Sequence, residues 1–397
     1  MIMPSGYIHS AVTRNLFSLL DFDFGDNTEL IKSYCCYPDH YFSGEKKYGP
    51  YNFFTDGVQF HYLPDTPYKE LYRYWSAEGG KIHRTKPFVN ENFIHAKAGF
   101  EFFLTHIVEQ FRAGDMEEGK KYLGSLLHML QDSTFGLHSI EGPGGMDLFV
   151  LDRLMESPVP PTGFACKIDA QGVDLKPSPY VPQMLGCSIG EMVMLLYREY
   201  YRRTSDSRKC TFQYILNVRD KNEAGNPALV QRMFDNAVRI CADVVNSVYH
   251  IAMGTASGKP VCPLTDFEPY EFPFGGFGAY RFLSYVRNQV YLPDGTAKEI
   301  DGVSFGSHYE GALRYWIAPD VFKTFTATMK LYCREDCKDH VRLTVLNNGE
   351  IWKEIILDAE HVEMELMIPD PANELSFVMG STSVCGAVAL ENARFYR

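Results

Sequence analysis

The spacing of apolar residues changes once along this chain, close to Gly258. Before that point, long segments repeat apolar side chains at helical spacing, as between Asn226 and Gly254. After it come short segments in which β-branched and aromatic residues alternate with polar ones. A chain that carries both patterns in succession is predicted to form an all-α domain followed by an all-β domain. Its 397 residues are enough for two hydrophobic cores.

Two predicted helices begin with the spacing of a capping box, in which a side-chain oxygen accepts a hydrogen bond from a backbone amide of the first turn. The pairs are Asp115 with Glu118 and Ser188 with Glu191. A later helix is predicted to be capped by Asn226 and to end before Gly254, because glycine readily adopts the left-handed conformation that ends helices. We therefore predict a helical domain over residues 1–257, with loops at 35–87 and 142–181.

Residues 258–280 are rich in proline and glycine and are predicted to link the two domains. The following residues, 281–397, are predicted to form an all-β jelly-roll sandwich. The clearest alternating segments are TFTATMKLYC, VRLTVL, EIWKEIIL, VEMELMI, ELSFVMG and GAVALENARFY. Between the second and third of these, Asn348-Gly349 predicts a hairpin, because both residues tolerate a positive φ.

Charge and composition limit the partners and leave the compartment open. The net charge of −12 gives no electrostatic footprint for duplex nucleic acid. No apolar run is long enough to cross a membrane. The start, MIMPSGYIHSAV, lacks the basic region and apolar stretch of a signal peptide, so either the protein is not exported by that route or the leader is missing from this chain. Ten cysteines without a CxxC pair favour free thiols, with disulfides open if the chain is secreted.

The segment LLHMLQDSTFGLH places His128, Asp132 and His138 within eleven residues. On a helix, the side chains of His128 and Asp132 point in directions about 40° apart. One interpretation is a solvated polar face, on which such a pair adds little to helix stability. The other is that the imidazole and the carboxylate bind the same cation.

Further residues around this segment give the chain a resemblance to the zinc-dependent phospholipase C family, which includes fungal single-strand nucleases and the glycosylphosphatidylinositol phospholipase D enzymes. That family has an early histidine that begins a helix, an aspartate in a turn and a histidine in an aromatic setting. After these come a helix that carries His-x3-Asp and, about five residues later, one more histidine. The matching residues are His9 in YIHSAVTRNLF, Asp39 in CCYPDHYF, His61 in DGVQFHYLP, His128, Asp132 and His138. The motifs span residues 6–140, and the resemblance extends to about residue 255.

The resemblance implies a site for two zinc ions that hydrolyses a phosphodiester. The implied metal ligands are His9, Asp39, His61, His128, Asp132 and His138, with Asp132 bridging the metals and Asp39 a candidate general base. Paired cations neutralise phosphate oxygens and lower the pKa of bound water, so no serine or cysteine nucleophile is required. Zinc suits mixed imidazole and carboxylate ligands, and manganese and iron stay open.

The sequence departs from the family at a third zinc site. Mature chains of the family begin with a tryptophan that binds metal through its own amine and carbonyl, and here no tryptophan precedes Trp75. The family also has a His-x3-Glu or His-x3-Asp pair after the last histidine of the cluster. In this chain the next histidine after His138 is His250. The third zinc has therefore lost most of its recognisable ligands, and the resemblance implies two zinc ions with a third in doubt.

The C-terminal region, from about Phe274 to Arg397, resembles the NPCBM-type carbohydrate-binding modules, which are galactose-binding-like jelly rolls. The matching segments include DGVSFGSHYEGALRYWI and the closing VALENARFY. The resemblance implies glycan binding, and the alternative is a structural sandwich without a ligand. Aromatic residues that could stack on a sugar are Tyr309, Tyr315, Trp316 and Trp352. The sequence assigns no glycan site.

Together these patterns predict a metal-dependent phosphodiester hydrolase of phospholipase C type with an accessory carbohydrate-binding domain. The predicted partners are a phosphodiester, such as a phospholipid at a membrane surface, and a glycan. One alternative is a single-strand nuclease or nucleotidase, which the acidic charge disfavours, since strand binding commonly uses a basic groove. The other is a non-catalytic metal- and glycan-binding protein, which the missing tryptophan and His-x3-Glu favour. Members of the family are mostly secreted.

Overall fold

The computed structural model describes residues 6–23, 28–38, 54–55, 58–59, 91–136, 161–272, 285–292, 294–306, 310–319, 321–333, 341–357, 362–367, 374–380 and 386–397. The chain divides into two compact units. The first consists of Met1–Ile82 with Glu91–Ser257, and the second of His83–Asn90 with Gly258–Arg397.

The described part of the first unit contains seven α-helices, a short 3-10 helix (Glu223–Gly225) and a short hairpin. The helices are α1 (Gly6–Phe17), α2 (Thr28–Cys35), α3 (Glu91–Arg112), α4 (Met116–Thr134), α5 (Pro161–Gly172), α6 (Ile189–Arg219) and α7 (Asn226–Ala252). The hairpin pairs β1 (Phe54–Thr55) with β2 (Val58–Gln59). None of the described helices combines the length and the apolarity that a membrane span requires. Helix α5 lies inside segment 142–181, where the prediction of a loop was wrong, because packing on α1 and α7 stabilises a helix there.

Helix α4 is the centre of the helical unit and contacts α1, α2, α3, α6 and α7. Every residue from Tyr122 to Thr134 is buried, including the polar ones. The interpretation of His128 and Asp132 as members of a solvated face is therefore wrong. Neighbouring helices cover both the apolar stripe of α4 and the opposite face, so the polar residues on that face must find their partners inside the protein.

The predicted starts of two helices are confirmed. Asp115 Oδ1 accepts a hydrogen bond from the backbone N–H of Glu118 at 3.0 Å, and Ser188 Oγ accepts one from the backbone N–H of Glu191 at 3.2 Å. Each bond satisfies one of the amide groups that have no partner within the helix. The third predicted cap is displaced by one position, because α7 begins at Asn226 itself.

Gly124 sets the separation between α4 and α2. A Cβ atom at this position would lie 2.7 Å from the carbonyl oxygen of Ile31 and 2.7 Å from the Cβ atom of Tyr34. Glycine therefore allows the backbones of the two helices to approach closely. The approach brings Cys35, the last residue of α2, into contact with Gln131 on α4.

The second unit is formed by antiparallel strands in two sheets. The strands are β3 (Val261–Pro263), β4 (Val286–Tyr291), β5 (Ala297–Phe305), β6 (Glu310–Trp316), β7 (Thr324–Cys333), β8 (Val341–Asn347), β9 (Glu350–Leu357), β10 (Val362–Met367), β11 (Glu374–Gly380) and β12 (Gly386–Tyr396). One sheet has the order β10-β7-β12-β5-β4, with β3 also paired to β12, and the other has the order β6-β11-β8-β9. The rings of Phe325 on β7 and Phe377 on β11 lie 5.7 Å apart, so the two sheets pack face to face. The expected order of a helical region followed by antiparallel sheets is confirmed.

The predicted hairpin of this unit is confirmed. Asn348 and Gly349 have φ angles of 50° and 82° and connect β8 to β9 in the predicted hairpin. The structure differs in segment 258–280, for which a linker was predicted. Val261–Pro263 pairs there with Arg394–Tyr396, so this part of the segment belongs to a sheet.

The close approach at Gly124 makes a testable prediction. Gly124→Ala should lower the free energy of unfolding by about 1–3 kcal/mol, because the added methyl group overlaps backbone atoms of α2. Gly225→Ala is the matched control, since the nearest atom to its added Cβ would be 3.8 Å away. Urea unfolding monitored by circular dichroism measures both. Equal stability of the two variants would contradict the role given to Gly124.

Candidate metal centre

Two helices bring His9, His128 and Asp132 together. His9 lies on α1, and His128 and Asp132 lie one turn apart on α4. All three side chains are fully buried. Within the described residues, they form the group of histidine, cysteine and acidic side chains whose ligand atoms are close enough to hold a metal ion.

The carboxylate of Asp132 lies between two imidazoles. Its Oδ1 atom is 3.3 Å from His9 Nε2, and its Oδ2 atom is 3.2 Å from His128 Nε2. The two imidazole rings stack with their centroids 4.4 Å apart. Each carboxylate oxygen therefore faces a different histidine nitrogen.

These distances and donor types fit a zinc ion. A tetrahedral zinc ion with bonds of about 2.0–2.1 Å holds neighbouring ligand atoms roughly 3.3 Å apart, as the two imidazole–carboxylate pairs already are. The three ligand atoms also lie within 4.8 Å of one another. Imidazole nitrogens and a carboxylate oxygen are ligands that zinc takes in proteins. The group therefore has the composition and spacing of part of a metal site.

The electrostatics of the group also favour a cation. Burial by itself lowers the pKa of the His9 imidazole, but hydrogen bonds and charge interactions with Asp132 and Cys35 outweigh burial and raise that pKa well above its usual value. A positive charge on the His9 side of Asp132 is therefore stabilised. Either a proton or a metal ion at Nε2 can supply that charge, and metal binding displaces the proton.

Three more buried polar side chains surround His9. Gln131 Oε1 lies 2.8 Å from His9 Nδ1, and Gln131 Nε2 donates to Thr13 Oγ1 at 3.0 Å. The thiol of Cys35 donates to Gln131 Oε1 at 3.3 Å. These contacts connect α1, α2 and α4 directly behind the imidazole. The sequence motif contains none of these three residues, although the spacing of His9 and Thr13 places them on one face of α1.

Helix α6 fixes the end of α4 that carries Asp132. Ser207 Oγ donates to the carbonyl oxygen of Thr134 at 2.6 Å, and Thr211 Oγ1 donates to that of Gly136 at 3.2 Å. The last carbonyl groups of a helix have no partner within the helix, so these bonds stabilise its C-terminus. Gly136 adopts a φ of 77°, which favours glycine, where the chain leaves α4.

The structure brings together three of the six predicted metal ligands. Asp39, His61 and His138 lie outside the described residues, so their roles stay predictions. Among the aromatic residues considered for sugar stacking, Tyr315 is a core residue with 1% of its surface exposed, which is incompatible with stacking on a ligand. Trp316 and Trp352 are half-buried, and Tyr309 lies outside the described residues.

Comparisons with known proteins give distant structural neighbours. No family model matches the chain, and no curated protein matches it. Among solved structures, the alpha toxin of Clostridium absonum aligns over 98% of this chain and 97% of its own, with 10% identity and a TM-score of 0.35. The CBM51-2 and INT domains of Clostridium perfringens ZmpB align over 34% of this chain, with 12% identity and a TM-score of 0.27, and this chain spans only 31% of that structure. A CBM51 from Clostridium perfringens GH95, solved with methyl-galactose, aligns over 34% of this chain and 99% of its own, with 14% identity and a TM-score of 0.26.

The raised pKa of His9 predicts how the stability of the metal-free protein depends on pH. The protonated imidazole beside Asp132 stabilises the folded state fully below the unfolded pKa of about 6.5. This contribution is lost as the pH rises through the higher pKa of the folded state. The difference in unfolding free energy between wild type and His9→Gln, measured with a chelator present, should therefore be larger at pH 6 than at pH 9. A difference that grows with pH would contradict the arrangement of His9 and Asp132.

Proposed function

We propose that this protein is a metal-dependent phosphodiester hydrolase of phospholipase C type, with a C-terminal domain that binds a glycan. The observation that carries the proposal is the buried group in which Asp132 lies between His9 and His128. A fully buried carboxylate is costly unless its charge is compensated, and these neighbours are the side chains that a zinc site uses. The order of histidines and aspartates in the sequence supports the same class.

The described residues can be given separate roles in such a site. His9, His128 and Asp132 would hold metal, with one carboxylate oxygen available on each side. When bound, zinc would supply a Lewis acid for the phosphate oxygens and lower the pKa of water. Burial of the three side chains keeps bulk water from competing for their ligand atoms. We further propose that Asp39, His61 and His138 complete the ligand set and that Asp39 acts as general base.

The charge of the chain bears on the choice of phosphodiester. Nucleases that act on single strands bind the backbone in a basic groove with stacking aromatic side chains. The net charge of −12 disfavours such a groove, so we propose a lipid or other small phosphodiester as substrate. The two-sheet unit contributes by holding the enzyme near glycans, which raises the effective concentration of substrate at a glycan-coated surface.

The metal proposal predicts a measurable stoichiometry. Purified wild-type protein should contain about two zinc ions per chain, and His128→Ala/Asp132→Ala should lose metal, because both substitutions remove a ligand. Inductively coupled plasma mass spectrometry measures the content. His250→Ala is the matched control, since His250 contacts Thr255 at the end of α7 and not this group. Equal metal content in all three proteins would contradict the site.

Two cleavage assays, each with a different substrate, test the hydrolase proposal. Wild-type protein should release the alcohol from a chromogenic phosphocholine diester, and a chelator should abolish release until zinc is restored, because the site depends on its metal. Cleavage of single-stranded DNA, assayed in parallel, would instead favour the nuclease. A zinc-loaded protein that cleaves neither substrate would contradict hydrolysis and leave a metal-binding protein.

The glycan proposal needs a separate test because it does not depend on the metal. The full chain should bind at least one galactose-containing glycan on an array, and the chelator should leave this binding unchanged. Binding to no glycan on the array would contradict the proposed role of the second unit.

A further inference from the structure

We propose that Gln131 is a positioning residue for the metal site, which orients His9 so that its Nε2 atom binds the metal. The inference rests on the proposed metal site and adds to it a residue that the motif does not contain. One contact supports it: Gln131 Oε1 lies 2.8 Å from His9 Nδ1, while Asp132 lies next to the other ring nitrogen, Nε2.

The Gln131 amide forms two further hydrogen bonds in this orientation. Its Nε2 group donates a hydrogen bond to Thr13 Oγ1 at 3.0 Å, and its Oε1 atom accepts one from the thiol of Cys35 at 3.3 Å. Thr13 in turn donates its hydroxyl proton to Cys35 Sγ at 3.6 Å. The bonds therefore run in one direction around the three side chains. The amide oxygen is left facing the imidazole of His9.

This orientation selects one tautomer of His9. A carbonyl oxygen can only accept a hydrogen bond, so the proton of the neutral imidazole must be on Nδ1. With a proton kept on Nδ1, metal binding would displace the proton of Nε2, the nitrogen that lies 3.3 Å from Asp132 Oδ1. Hydrogen bonds from the remote nitrogen are a common way in which proteins fix metal-binding histidines.

The position of Gln131 in α4 explains how one helix reaches both nitrogens of the ring. Gln131 and Asp132 are consecutive, so their side chains leave the helix in directions about 100° apart. One side chain therefore meets Nδ1 and the other meets Nε2. Both residues are fully buried, and the hydrogen bonds among Gln131, Thr13 and Cys35 hold α1 and α2 against this turn of α4.

The test measures zinc affinity rather than turnover. Gln131→Met keeps the length of the side chain and removes the acceptor, and it should weaken zinc binding by about 10–100-fold, the usual effect of losing such a partner. Gln131→Glu keeps an acceptor and should bind zinc at least as tightly as wild type. Ser133→Ala is the matched control, because it removes another buried polar side chain of α4 that contacts Met129 and Tyr200 instead. Its affinity should stay within twofold of wild type.

Affinities would be obtained by competition with a chromophoric zinc chelator, with folding checked by circular dichroism of the metal-free proteins. Wild-type affinity in a folded Gln131→Met variant, or an equal loss in Ser133→Ala, would overturn the positioning role. If Gln131→Met does not fold, Gln131→Leu, which also lacks the acceptor, takes its place under the same criterion. A loss of tenfold or more in Gln131→Glu, which keeps the acceptor, would also overturn the role. Failure of the proposed function looks different, since wild type itself would then bind no zinc.

Discussion

The helical unit depends on one carboxylate, that of Asp132, which is fully buried between two imidazoles. An isolated buried carboxylate is too costly for a folded protein to tolerate, so the structure must supply positive charge or hydrogen bonds around it. His9, on helix α1, supplies part of this compensation. This contact links α1 to α4, while α1 packs more extensively against α7 and α2. The need for compensation explains why a polar cluster occupies the centre of the unit instead of apolar side chains.

The surrounding helices make this arrangement rigid. Gly124 permits the close approach of α2, and α2 delivers Cys35 to the hydrogen bonds behind His9. Two hydroxyl groups of α6 donate hydrogen bonds to backbone carbonyls at the end of α4. These bonds fix the turn that carries Asp132. Metal sites need ligands whose positions are set before the ion binds, and residues beyond the ligands commonly provide this.

Local signals in the sequence were sufficient for many elements. Asp115 and Ser188 cap helices through bonds to residues three positions away, and Asn348-Gly349 turns a hairpin through its own backbone angles. Features that depend on distant partners could not be predicted in this way. The burial of the polar face of α4 arises from packing by five helices, and the pairing of β3 with β12 joins residues more than 130 positions apart.

The same distinction applies within the candidate site. A motif could identify His9, His128 and Asp132, because their order and spacing are properties of the sequence. The role of Gln131 arises only when α1 lies against α4. We propose that Asp132 shares a metal with these histidines. Anomalous diffraction from crystals of the full chain, recorded above and below the zinc absorption edge, tests it most directly. We expect a zinc peak within bonding distance of Asp132 and at least one of the two histidine Nε2 atoms, and a map without a peak there would contradict the shared metal.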